Sequence, residues 1–175
     1  AIASKAEAAS GVEFIKMEMG VPGLAPSRIG TEAEIEALKH GVAQFYPMLE
    51  GYPVLSEEAS RFVKNFMDVD IRPEGIIPTV GAMQASYVAF MALTECHKGK
   101  DTILFIDPGF PVQKTQLEVI GKPYQTFDIY EYREEKLEAK LREYLDRGNI
   151  AGIVYSNPNN PSWVCLTDFE LQVIG

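Results

Sequence analysis

From residue 76 onward the chain alternates short apolar runs with segments of helical pattern, which limits it to helices laid on a mostly parallel sheet. Residues 76–80, 102–107, 123–129 and 153–155 read as strands. Between them, residues 82–96 carry Val88, Ala89, Ala92 and Leu93 at helical spacing and stop at His97-Lys98-Gly99. Residues 111–120 form a helix ended by Gly121. Residues 133–147 form an amphipathic helix, with Leu137, Leu141, Tyr144 and Leu145 inward and Gly148 as its stop. Right-handed crossovers between such strands predict a three-layer α/β/α arrangement. Before residue 76 the pattern is looser. Residues 1–30 read as irregular, Thr31-Glu32-Ala33-Glu34 as a capping box opening a helix to about residue 45, and Ser56 as the cap of a helix over 57–67.

Three strand ends carry groups suited to a ligand, and in open α/β sheets ligands bind at the carboxyl ends of strands. After 153–155 comes Ser156-Asn157-Pro158-Asn159-Asn160-Pro161-Ser162, where two prolines restrict the backbone and can hold an amide such as Asn160 in one place. After 76–80 comes Gly81-Ala82-Met83-Gln84-Ala85, a helix start whose free N–H groups and dipole attract an anion such as phosphate. After 102–107 comes Pro108-Gly109-Phe110-Pro111, which presents an aromatic ring on a tight turn. Each has an ordinary reading: an Asn/Pro turn, close helix-on-strand packing, a core aromatic under a loop. Their joint occurrence favours a site.

In order along the chain, these residues resemble the amino-terminal half of the class I/II aminotransferases, pyridoxal-phosphate enzymes of fold type I. Met19-Gly20-Val21-Pro22-Gly23 is similar to the family's Gly-x-Pro loop, and Phe45-Tyr46-Pro47-Met48-Leu49-Glu50-Gly51 to its Tyr-x-Pro-x-x-Gly segment. Thr79-Val80-Gly81-Ala82-Met83, Asp107-Pro108-Gly109-Phe110 and the Asn-Pro loop complete the series. The resemblance implies that Gly81 and the backbone N–H groups of Ala82 and Met83 hold the phosphate of pyridoxal 5'-phosphate. It implies that Phe110 stacks on the pyridine ring, and that Asn160 donates to the ring's phenolic oxygen and borders the substrate. Gly20 would lie against the substrate carboxylate, and Tyr46 would reach the phosphate of a neighbouring subunit, implying a homodimer. Residues 46–175 would be an incomplete large domain that binds the cofactor, and 1–45 an arm plus part of a smaller domain. Trp163 stands where the family usually has Gly, and Met83 where it often has a polar residue.

The resemblance also implies a lysine that joins the cofactor as a Schiff base, well after the Asn-Pro loop. The ten lysines all precede Asn160 and read as solvated surface charges. No catalytic residue is therefore assigned. The capping box Thr167-Asp168-Phe169-Glu170 opens a helix that has run only to Gly175 when the sequence ends, so the chain reads as a fragment. The implied parent activity is transfer of an amino group between an amino acid and a 2-oxo acid. A C–S or C–N lyase or synthase of the same fold, or a non-catalytic aminotransferase-like regulatory domain, are the alternatives. Unrelated nucleotide binders are disfavoured, because Gly-x-Gly-x-x-Gly and Gly-x-x-x-x-Gly-Lys loops are absent.

A net charge of −9 argues against nucleic acid and anionic membrane surfaces, and no apolar stretch is long enough to span a bilayer. Two cysteines, Cys96 and Cys165, make no disulfide framework and fit a reducing cytoplasm. His40 and His97 read as helix-surface residues, too few for a metal cluster.

Overall fold

The computed structural model describes residues 2–17, 20 and 23–175, so Met19, Val21 and Pro22 of the predicted Gly-x-Pro loop lie outside the described residues. Two compact units divide the chain, Ala1–Tyr52 and Pro53–Gly175. In the first, Ile2–Ser10 is a helix (α1), where irregular chain was expected. Four alanines in nine residues explain it, alanine being the strongest helix former, and Gly11 at φ +69° stops it. The second helix (α2) runs over Arg28–Lys39, starting earlier and ending sooner than the pattern suggested. Thr31 lies inside it, its hydroxyl bonded back to the Ser27 carbonyl at 3.1 Å. Gly41 at φ +81° ends it, and Val42–Gln44 is a separate 3₁₀ turn.

The second unit opens with α3, Pro53–Met67. Pro53 rather than Ser56 begins it, since proline suits a first helical turn whose N–H groups have no partner. Residues 76–80 do not pair into the sheet. Ile76 is extended, at φ −101° and ψ 122°, but Pro78 has no N–H to give a ladder. Helix α4, Gly81–Cys96, then leads to strand β1, Thr102–Asp107. After these come α5 (Val112–Val119), β2 (Tyr124–Asp128), α6 (Glu135–Leu145), β3 (Ile150–Val154) and α7 (Asp168–Ile174). The sheet order is β2-β1-β3, all parallel.

Alternation along β1 builds the layers. Ile103 and Phe105 pack with Phe90 of α4 and Leu117 of α5. Leu104 and Ile106 pack with Phe127, with Leu137 and Leu141 of α6, and with Val173 and Ile174 of α7. The expected α/β/α layering is therefore present. Against expectation, Leu145 is 44% exposed; it lies just past the buried stripe of α6. Gly152 lets α4 approach β3: a Cβ there would lie 3.2 Å from Leu93 Cδ1.

The carboxyl-terminal helix is fastened by one buried carboxylate. Glu170 completes the capping box with Thr167 and is fully buried. Arg133 grips it with two bonds, Nε to Oε1 at 2.5 Å and Nη2 to Oε2 at 2.7 Å. The backbone N–H groups of Glu134 and Thr167 each add a bond at 2.9 Å. Arg133 first, and then those N–H groups, hold the Glu170 carboxyl at about 2, against an ordinary 4.5, outweighing the opposing effect of burial.

Replacing Arg133 by Met strands that carboxylate, so stability at neutral pH should fall by about 3–5 kcal/mol in urea titrations. In the unsubstituted chain, the contribution of Glu170 is complete above its unfolded value of 4.5. About 3 kcal/mol should drain away as pH falls from there to about 2, and the Arg133→Met chain should lose far less over the same range.

Candidate functional site

Strands β1 and β3 are neighbours whose chains leave in opposite directions at their carboxyl ends. β1 feeds α5 on the Phe90 side of the sheet, and β3 leads through residues 155–167 to α7 on the other. Two loops that part in this way leave a crevice between them. It holds a cleft of ≈180 Å³, whose walls include Phe105, Gly109, Phe110, Gln113, Tyr155 and Asn160.

Phe110 comes from the loop after β1 and is half exposed. Lys114, in the first turn of α5, reaches back to Asp107 at the strand end, Nζ to Oδ2 at 2.6 Å, and closes that loop. The ammonium also sits 5.6 Å from the centroid of the Phe105 ring. Lys114 is thus a half-buried ion-pair partner rather than the solvated charge expected of every lysine. Lys140 departs likewise: its side chain is 14% exposed, lying over the Tyr132 ring and bonded to Glu143. Lys122, paired with Glu95, is a third exception.

In the loop after β3 the asparagines divide the work. Asn157 Oδ1 accepts from Leu166 N–H at 2.9 Å. Asn159 Nδ2 donates to the Pro108 carbonyl, and its Oδ1 accepts from Ser162. The Asn160 amide has no side-chain hydrogen bond to another described residue and lines the cleft. Trp163 lies in the left-handed region at φ +52°, a conformation that explains a glycine preference at this position, and its ring is 84% exposed.

The first turn of α4 occupies the same edge of the sheet. Cys96 ends the helix a few residues before β1 begins, so α4 runs back along the sheet and starts at the strands' carboxyl ends. No side chain caps this start, which leaves the Ala82 and Met83 N–H groups without helical acceptors. Gln116 of α5 ties the turn down: its Nε2 donates to the Met83 carbonyl at 2.8 Å, and its Oε1 accepts from Ser86 Oγ at 2.8 Å. Gly81, Ala82 and Met83 do not themselves wall the cleft. Tyr46 and Gly20 belong to the other unit, where both are exposed. Tyr46 borders a hollow of ≈640 Å³ there, with Ala37, His40, Phe45 and Tyr52.

Sequence reasoning had not singled out Gln113, Tyr155, Gln116, Asn159 or the Asp107–Lys114 pair. Asn159 and Asp107 carried a signal, each standing inside a motif quoted for the resemblance. Among the described residues no group of three or more His, Cys, Asp or Glu could hold a metal ion, and no helix is long and apolar enough to cross a membrane.

A family model described as aminotransferase class I and II matches residues 12–174. An aspartate aminotransferase of Pyrococcus horikoshii is 31% identical over 162 residues, 91% of this chain and 39% of that protein. An asparagine–oxo-acid transaminase of Streptococcus mutans is 22% identical over 95% of this chain and 42% of its own. The chain thus spans about two fifths of the length of these curated relatives. The solved alanine aminotransferase of Pyrococcus furiosus superposes with a TM-score of 0.81 at 24% identity, over 99% of this chain and 44% of that one, and so shares the fold.

Gly81 has φ +73° and open space where a Cβ would stand. Gly81→Ala should therefore cost only backbone strain, about 1 kcal/mol, seen as a lower denaturation midpoint with an unchanged slope.

Proposed function

The chain belongs to the class I and II aminotransferases, and on that premise we propose that it is the amino-terminal part of an enzyme moving an amino group between an amino acid and a 2-oxo acid with pyridoxal phosphate. The observation that carries this reading is the cleft in which Phe110 and the Asn160 amide, unbonded to any other described residue, face one space at the carboxyl ends of β1 and β3. The residues fit the group. Phe110 gives a face for the pyridine ring, and the Asn160 amide a neutral donor for the phenolic oxygen. The uncapped first turn of α4, with Gly81 and the N–H groups of Ala82 and Met83, gives the phosphate an anion seat. The cofactor, when bound, supplies an electron sink. This chain's part is to bind and orient it. Gly20 and Asn160 would border the substrate, with Gly20 toward its carboxylate.

The lysine would come from sequence beyond these 175 residues, a reading supported by the two-fifths span relative to the relatives. In the whole enzyme, residues 46–175 would be the first part of the large domain and 1–45 an arm with part of the smaller one. A homodimer in the cytoplasm, with Tyr46 serving the partner's phosphate, completes the reading. Its exposure and the two free cysteines support this. Most of the matched relatives are named as aminotransferases and one as a lyase, which favours the aminotransferase reading.

Mixed with pyridoxal phosphate and then desalted, the 175-residue chain should keep no visible chromophore, whereas the protein at the full length of its relatives should keep one and should transaminate. A full-length protein that transfers no amino group from any of a panel of amino acids to 2-oxo acids would overturn the reading. Tyr46→Phe in that protein should weaken cofactor retention by about 1.5–3 kcal/mol without loss of folding. Mixing Tyr46→Phe protomers with protomers lacking the lysine should restore activity, because both lesions then fall in one of the two sites. Absence of recovery despite demonstrated subunit exchange would place Tyr46 in its own subunit's site.

A further inference from the structure

We propose that Asn159 is a positioning residue that sets the spacing between Phe110 and Asn160; the inference rests on the cofactor reading above. The β1–β3 ladder reaches only to Phe105 and Val154, so beyond that point the sheet no longer fixes the separation of the two loops. Among the described residues, one hydrogen bond crosses between them: Asn159 Nδ2 donates to the carbonyl of Pro108. Pro108 lies two residues before Phe110, and Asn159 immediately precedes Asn160. A change at this link therefore reaches both walls of the cleft.

Asn159 is itself held from every side. Its Oδ1 accepts from Ser162 N–H at 3.2 Å and from Ser162 Oγ at 2.7 Å. Its backbone N–H donates to the Val164 carbonyl at 2.9 Å, and its carbonyl accepts from Trp163 N–H at 2.7 Å. Donation across the gap and acceptance within the loop need one group with both functions, and a carboxamide supplies them. A carboxylate would keep the acceptor and lose the donor. Asn159 does not wall the cleft; it faces a smaller hollow behind it, with Ile106, Val164 and Leu166. Its action is therefore through its neighbours and not on a bound ring.

The test uses the protein at the full length of its relatives, freed of cofactor. Two dissociation constants are measured, for pyridoxal phosphate and for inorganic phosphate, with thermal unfolding followed in parallel. Ring recognition depends on the Phe110–Asn160 spacing, and phosphate recognition on the α4 start. Asn159→Leu should weaken pyridoxal phosphate roughly tenfold, the scale of one hydrogen bond, and leave inorganic phosphate unchanged. Ser162→Ala, which keeps the cross-loop bond, should leave both constants near the starting values. If Asn159→Leu fails to fold, Asn159→Asp removes the donor alone, and its phosphate arm reports any effect of the added charge. Equal weakening of both ligands, no weakening of either, or a Ser162→Ala protein as impaired as Asn159→Leu would overturn the proposal. An unsubstituted protein that does not bind pyridoxal phosphate would overturn the cofactor reading itself, and the inference with it.

Discussion

Strand β1 is covered on both faces, and much of the second unit follows from that. Residues from Thr102 to Ile106 are all buried, with alternate side chains committed to two separate apolar clusters. A strand of this kind needs helices above and below and strands on either side. Once β2 and β3 flank it, the chain leaving β1 and the chain leaving β3 depart toward opposite faces. The cleft between them is thus a by-product of packing. The sequence decorates an opening that the topology has already made.

Stability and site are handled in different places. The most strongly shifted carboxylate, Glu170, fastens α7 to the segment before α6 and does not line the cleft. The polar links nearer the cleft are of another kind: neutral amides such as Gln116 and Asn159, and the half-buried Asp107–Lys114 pair. Neutral amides and a matched ion pair fix geometry while adding no net charge beside a site proposed to receive an anion.

How much was legible depends on how local the cause was. β1 follows its apolar run residue for residue, and the Thr167–Glu170 capping box formed as written, because both rest on neighbours in sequence. The stretch over 76–80 misled: its composition favours a strand, but a strand requires a partner, and composition cannot supply one. Residues 2–10 misled in the opposite way, since their alanine-rich sequence offers no strong apolar stripe and its helix propensity is the main local signal. For the site, the types at Phe110 and Asn160 were readable from turn chemistry and order. Arg133–Glu170, Gln116–Met83 and Asn159–Pro108 were not, since each joins residues more than 30 apart along the chain.

The close approach at Gly152 has a mechanical consequence. Leu93 rests there, near one end of α4, and Ala82 lies about 16 Å away along the same helix. The missing methyl group in β3 lets one end of α4 lie close to the sheet, while Gln116 of α5 holds the other end, which carries the Ala82 and Met83 amide groups. The aim of those amide groups thus rests on two seats, one on the strand and one on the neighbouring helix.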